Sequence, residues 1–182
     1  MRQKLIFSCA LFLFAATLLS AQTKPAPASQ PAAADLMQTL TSRGNHTTFV
    51  AALKSVGLDQ VLSGPGPFTI FAPIDQAFAE LPKGTMENLM KPENREQLKK
   101  MLSYHVVAGK WDTAELKKKI KEGDGQALIT PLDGGKLHVA DHSGMHLMVR
   151  DEDDDIGMFN KSDVPASNGV VHVIDNVMMP KQ

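Results

Sequence analysis

Four side chains in this sequence have the chemistry of a hydrolytic acid–base pair, namely His105, His172, Asp75 and Asp175. In a Ser/His/Asp hydrolase, the histidine takes the proton of a serine hydroxyl while the carboxylate orients the ring. The sequence has no Gly-x-Ser-x-Gly turn that would present such a serine. His172 and Asp175 are an odd number of residues apart, so on a strand they point to opposite faces. We therefore expect a protein that is not an enzyme.

Three further histidines, His138, His142 and His146, invite a metal interpretation. Apolar and polar residues alternate around them, which predicts a β-hairpin. Placing both apolar sets on one face puts Asp141 opposite Met145, with His142, Ser143 and Gly144 as the loop. In that register His138 and His146 are diagonal neighbours about 7–8 Å apart. Because a fourth ligand cannot be identified, solvated histidines are favoured and no metal or cofactor is expected.

Five consecutive acidic residues, 151–155, raise the question of calcium. An EF-hand loop has glycine at its sixth position and glutamate at its twelfth. Counted from Asp151, these positions are Ile156 and Ser162, so the pattern fails. The run predicts a solvated acidic loop instead.

Charge and cysteine content exclude several classes of protein. Nineteen basic and twenty acidic side chains give a net charge of −1, so no nucleic-acid partner is expected. Cys9 is the single cysteine and lies in an apolar run near the start of the chain. Once that run is removed, neither a disulfide nor a cysteine-ligated metal site is available.

Residues 1–21 have the pattern of a secretory signal peptide. Arg2 and Lys4 precede an apolar run from Leu5 to Leu19, and Ala21 ends a small-residue cleavage site. The run is shorter than the about 20 residues of a membrane span, so cleavage is favoured over an uncleaved anchor. Residues 22–35 are rich in proline and alanine and predict a linker, followed by a domain over 36–182. We predict a secreted or periplasmic protein without stable membrane insertion after cleavage.

The elements of this domain change character along the chain. Apolar residues recur at helical spacing from Leu36 to Glu122, interrupted by a buried strand at Phe68–Ala72. From Ala127 onward the apolar period falls to two. Helices first and strands last predict an α+β domain rather than βαβ repeats.

Three motifs carry a family resemblance: residues 68–78, the Tyr104-His105 step and residues 168–180. In their order and spacing they resemble the fasciclin (FAS1) domain family, in its single-domain secreted bacterial form. The resemblance implies a β-wedge of two sheets with several helices packed alongside. It departs at Ile74, where the family has a capping Thr or Ser, so the start of the next helix is expected to shift. The motif residues expected to be structural are Phe71, Pro73, Asp75, Phe78, Asn168, Gly169, His172, Asp175 and Pro180.

The resemblance also implies a function in binding or adhesion, with an extracellular protein or surface glycan as partner and a monomeric state. Adhesive members carry an Asp-Ile pair at the position of Asp163-Val164. We therefore expect a contact surface around Asp163, Val164, Tyr104, His105 and the loop that leads into residues 168–180, with Asp163 and Val164 on an exposed loop. The other interpretation of Asp163 is a hydrogen-bond acceptor for the turn backbone. An alternative function is a carrier of an apolar pigment or lipid held between the helices and the wedge.

Overall fold

The computed structural model describes residues 34–142, 144 and 146–181. The predicted signal peptide, Cys9 and all but the last two residues of the predicted linker lie outside this part. The α-helices of the described residues are α1 (Leu36–Arg43), α2 (Thr47–Val56), α3 (Leu58–Leu62), α4 (Asp75–Glu80), α5 (Thr85–Leu89), α6 (Arg95–Tyr104) and α7 (Thr113–Glu122). The strands are β1 (Phe68–Pro73), β2 (Val106–Ala108), β3 (Gln126–Ile129), β4 (Leu137–His142), β5 (His146–Arg150), β6 (Ile156–Ala166) and β7 (Gly169–Ile174).

Local residues set the helix boundaries largely as the sequence predicts. The Asp35 carboxylate caps α1, and Gly57 ends α2 in the left-handed region at φ 78°. Helix α7 begins at Thr113, because the Asp112 side chain caps its first turn.

The strands form one twisted sheet in the order β2-β1-β7-β6-β5-β4-β3. β1 and β7 are parallel, and the other neighbours are antiparallel. The long strand β6 pairs with β5 along its first residues and with β7 along the rest, so it belongs to both halves. A bridge between Val107 and Pro131 brings the two outer edges together and nearly closes the sheet. This arrangement confirms the predicted α+β wedge with helices alongside.

Apolar side chains on both faces of β1 are buried. Ile70 and Ala72 face a cluster formed with helices α1 to α6, whereas Phe71 faces a second cluster built from α7 and β3 to β7. The sheet is thus held between two cores, and burial of each large side chain contributes about 1.5–3 kcal/mol.

The observed hairpin register differs from the predicted one by two residues. Asp141 lies opposite Leu147, not Met145, and His142 lies directly opposite His146. His138 lies opposite Arg150 and is therefore not a diagonal neighbour of His146. A shift of two residues keeps the same side chains on the buried face, so apolar alternation cannot distinguish the two registers.

Candidate binding groove

An open groove of about 820 Å³ lies beside the turn between β6 and β7. Its walls are residues 65–67 before β1, residues 110, 112 and 114 at the start of α7, and residues 163 and 165–169. The charged groups along it are Lys110, Asp112 and Asp163. Prolines, glycines and alanine supply most of the remaining lining, so much of the backbone is accessible to a ligand.

Asp163 occupies an irregular part of β6. The register between β6 and β7 shifts on both sides of Lys161, and Asp163 has a positive φ of 55°. Aspartate tolerates this conformation better than most residues. The Asp163 side chain is exposed, and its Oδ1 accepts a hydrogen bond from the Thr113 N–H at 2.7 Å. The carboxylate is therefore fixed at the start of α7, while it still faces the groove.

The predicted exposed loop at Asp163-Val164 is wrong. Both residues belong to β6, and Val164 pairs with Val171 and is 7% exposed. The bulged register turns Asp163 outward and Val164 into the helix-side core, which a plain alternation would not place correctly. Of the predicted pair, Asp163 alone can contact a partner directly.

His172 on β7 links the wall at the start of α7 to the wall formed by β6. Its Nε2–H donates to the Trp111 carbonyl at 2.7 Å, and its Nδ1 accepts from the Asp163 N–H at 3.4 Å. The ring stacks between Phe71 and Phe159, with centroids 5.6 and 5.1 Å away. Burial lowers the pKa of His172, which keeps the ring neutral and able to accept at Nδ1.

Asn168 fastens the far end of the groove. Its side-chain oxygen accepts from the Leu36 N–H at 3.0 Å, and its Nδ2 donates to the carbonyls of Leu62 and Gly64 at 2.7 and 2.9 Å. One amide thus ties α1, the end of α3 and the turn before β7 together. A Cβ on the next residue, Gly169, would collide with the Phe68 carbonyl oxygen, so this close backbone approach requires glycine.

Asp75 caps a helix other than the one it begins. Its carboxylate accepts the Thr47 N–H and hydroxyl at 3.1 and 2.8 Å and the Thr48 N–H at 2.8 Å. Desolvation alone would raise the pKa of Asp75, but these hydrogen bonds outweigh it and lower the pKa. Ile74 gives α4 no side-chain cap, as expected, but the helix still begins directly after it at Asp75, so the predicted shift of its start is wrong.

Tyr104 and His105 do not line the groove, and both are 0% exposed. His105 Nδ1–H donates to the Met101 carbonyl at 2.9 Å, and Nε2 accepts from the Met178 N–H at 3.0 Å. Burial lowers the pKa of His105 to about 4. The Tyr104 hydroxyl donates to the Lys136 carbonyl. The expected surface position of these two side chains is therefore wrong, and their contacts are those of core residues.

Pro73, Asp175 and Phe78 of the motifs make structural contacts, whereas Pro180 is only partly buried. Pro73 accepts a hydrogen bond at its carbonyl from His46 Nδ1 at 2.8 Å, and Asp175 Oδ1 accepts from the Met158 N–H at 2.7 Å. Phe78 is buried, and its ring centroid lies 6.4 Å from that of Phe49.

The histidines of the motifs are poorly placed for acid–base chemistry. His105 and His172 both use their two ring nitrogens in hydrogen bonds to the backbone, so neither has a nitrogen left to activate a nucleophile. Within residues 34–142, 144 and 146–181, no three His, Cys, Asp or Glu side chains come together as a metal site. Over the same residues, every helix is too short or too polar to cross a membrane.

Sequence reasoning identified Asp163 but missed the groove around it. Two glycines and two prolines in residues 63–67 indicate a break between elements, but nothing in the sequence shows that this segment faces Lys110 and Asp112. The proline and glycine content of that segment was the available signal, because such residues mark exposed turns.

Comparison with known proteins agrees with this architecture. The model of the fasciclin domain matches residues 44–180. The chain is 41% identical to protein sll1483 of Synechocystis over 162 residues, which cover 86% of this chain and 81% of that protein. It is 34% identical to the immunogenic protein MPB70 of Mycobacterium bovis, over 74% of this chain and 63% of that one. Human periostin is 30% identical over 74% of this chain, which spans 14% of periostin.

A solved structure shows the same fold. The FAS1 domain pair of the insect cell adhesion molecule fasciclin I superposes with a TM-score of 0.60 at 20% identity. The match covers 75% of this chain and 46% of that one. On the family match over residues 44–180 and these relatives, the chain belongs to the fasciclin domain family.

Proposed function

We propose that this protein is an exported, monomeric, non-catalytic adhesion-type module that binds an extracellular protein or a surface glycan in the groove beside Asp163. The observation that carries the proposal is an exposed carboxylate held by the Thr113 N–H on the wall of an open groove. The predicted signal peptide supports export to the periplasm or beyond the cell.

The groove has the properties of a rigid binding surface. His172 on β7 is hydrogen-bonded to both Asp163 and Trp111, and Asn168 is hydrogen-bonded to α1 and to the end of α3. Binding therefore does not have to order a loop and lose the corresponding free energy. Asp163 uses one oxygen for Thr113, and its second oxygen remains available for a cationic or hydroxyl donor. Both a basic protein segment and a glycan present such donors.

The relatives support the same class of function. The FAS1 domain pair with this fold comes from a cell adhesion molecule. Both ring nitrogens of His105 and of His172 are engaged in hydrogen bonds to the backbone, which supports binding without catalytic turnover.

Asp163→Asn is the sharpest test, because asparagine keeps an oxygen for Thr113 and tolerates positive φ but removes the charge. Fluorescently labelled protein should bind to the envelope of the producing cells, and the variant should bind less. The matched control is Asp153→Asn, at an exposed aspartate outside the groove. Val164 is left unchanged in this test, because it is buried and its truncation to alanine would destabilise the fold.

Equal envelope binding by wild type and Asp163→Asn, with equal melting temperatures, would exclude Asp163 from the contact. Loss of binding by Asp153→Asn as well would show a general charge effect rather than a specific groove.

The carrier alternative has weaker support. An apolar cleft between α1 and α2, lined by Leu40, Val50 and Ala51, has a volume of about 260 Å³. Ligand pockets usually measure about 300–1,000 Å³. An absorption spectrum of protein purified from its own host tests this alternative, which predicts a bound chromophore or extractable lipid.

A further inference from the structure

The outward face of strands β4, β5 and β6 gathers imidazole and thioether side chains away from the groove. His142 lies directly opposite His146, and Met148 lies opposite Ala140. On the next strand, Met158 lies opposite Met148. This arrangement depends on the observed register, because the predicted one paired Asp141 with Met145.

The burial pattern of β4, β5 and β6 shows that His142, His146, Met148 and Met158 lie on one face of the sheet. Leu147, Val149 and Phe159, which adjoin His146, Met148 and Met158, are buried in the second core, and so is Val139, an odd three residues before His142. His142 and His146 are exposed, while Met148 and Met158 are partly exposed. Since side chains alternate along a strand, the two histidines and two methionines all point away from that core.

The spacing suits a single ion. Directly opposite residues of an antiparallel pair have Cβ atoms about 4.5–5.5 Å apart, so two imidazoles can reach a common point. Met148 follows His146 by two residues on the same face, about 7 Å along the strand. Methionine has three rotatable bonds and adapts its sulfur position over that distance. Met158 is one strand further, about 4.8 Å beyond Met148.

The donor types decide which metal fits. Hard cations such as Ca²⁺ and Mg²⁺ prefer oxygen ligands, whereas imidazole suits copper and zinc, and thioethers select Cu(I). We propose that His142, His146 and Met148 form a surface site for Cu(I), with Met158 as an adjacent thioether ligand. In an exported protein such a site would bind copper outside the cytoplasm.

His138 provides an internal control. It lies on the same face of β4, but its partner across the hairpin is Arg150. A guanidinium beside the ring repels a metal cation. The proposal therefore requires His142 and His146 but not His138.

The test uses the full chain with Cys9→Ser in every sample, since a thiolate would itself bind Cu(I). Cu(I) is added without oxygen in competition with a coloured Cu(I) chelator. Wild type should retain one equivalent of Cu(I), and the double variant His142→Ala/His146→Ala should lose more than about 100-fold in affinity, because loss of even an outer-shell partner costs about 10- to 100-fold. His138→Ala should change nothing. Met148→Leu should weaken Cu(I) binding and leave weak Zn²⁺ binding unchanged.

Ag(I) prefers the same soft imidazole and thioether ligands as Cu(I) and does not change its oxidation state in air. Its addition should shift the methyl NMR signals of Met148 and Met158. The proposal is overturned if wild type retains no more Cu(I) than the double variant, if His138→Ala causes an equal loss, or if Zn²⁺ binds as tightly as Cu(I). Melting temperatures of all variants within a few degrees of wild type would exclude unfolding as the cause of a loss.

Discussion

Replacing Asn168 with alanine removes one acceptor and two donors that join α1, α3 and the turn before β7. The lost contacts are those to the Leu36 N–H at 3.0 Å and to the Leu62 and Gly64 carbonyls at 2.7 and 2.9 Å. At about 1 kcal/mol per net hydrogen bond, the loss is about 3 kcal/mol. The partly buried partners left unsatisfied add to this, so we expect about 3–5 kcal/mol. That is a large share of the about 5–15 kcal/mol by which domains are stable.

Asn168→Asp separates hydrogen bonding from packing. The aspartate keeps the oxygen that accepts from Leu36 but turns a carboxylate oxygen toward the Leu62 and Gly64 carbonyls, where Asn168 donated. Repulsion raises the pKa of the new carboxyl in the folded protein above its unfolded value of about 3.9. Between these two pKa values the folded state binds more protons, so the stability of this variant should fall as pH rises.

Urea denaturation at pH 4.5 and pH 7 measures both variants, with Asn160→Ala, at an exposed position of β6, as the control. At pH 7 we expect the free energy of unfolding to be highest for wild type and the control and lower for Asn168→Ala. The value for Asn168→Asp should equal that of Asn168→Ala or lie below it. A decrease of less than about 1 kcal/mol in the free energy of unfolding of Asn168→Ala would show that the three hydrogen bonds do not stabilise the fold, because water would then replace all three contacts. A pH-independent difference between the two Asn168 variants would refute the assigned amide orientation.

Three further predictions concern buried or crowded groups. Because burial lowers the pKa of His105 from 6.5 to about 4, the unfolded chain binds this proton first. His105 alone should therefore lower the free energy of unfolding by about 3 kcal/mol as the pH falls from 6.5 to 4, measured by urea denaturation of wild type and His105→Gln at both pH values. Gly169→Ala should prevent soluble expression, because the added Cβ collides with the Phe68 carbonyl oxygen, whereas Ser167→Ala, at an exposed position of the same turn, should express normally. Asp75→Ala should lower the free energy of unfolding by about 2 kcal/mol through loss of the α2 cap, measured by urea denaturation.

Local signals in the sequence were sufficient for the elements but not for their exact pairing. The Asp35 cap and the Gly57 end of α2 follow from residue chemistry alone. The β4–β5 register does not, because pairings of Asp141 with Met145 or with Leu147 bury the same side chains.

Two parts of the predicted contact surface, Asp163 and the loop that leads into residues 168–180, line the groove. Asp163 was found through the resemblance, but the bulges of β6 decide that it faces outward and Val164 inward. The spacing of the Tyr104-His105 step carried no information on burial. The groove itself combines segments about 40 to 100 residues apart in sequence, and such long-range proximity leaves no local pattern.

The central claim is that the groove beside Asp163 binds a component outside the cell. Hydrogen exchange of the backbone amides, measured with and without envelope of the producing cells, tests it most directly. Binding in the groove should add protection at residues 110–114 and 163–169 and leave β4 and β5 unchanged. Protection confined to other surfaces, with these two segments exchanging as in the free protein, would contradict it.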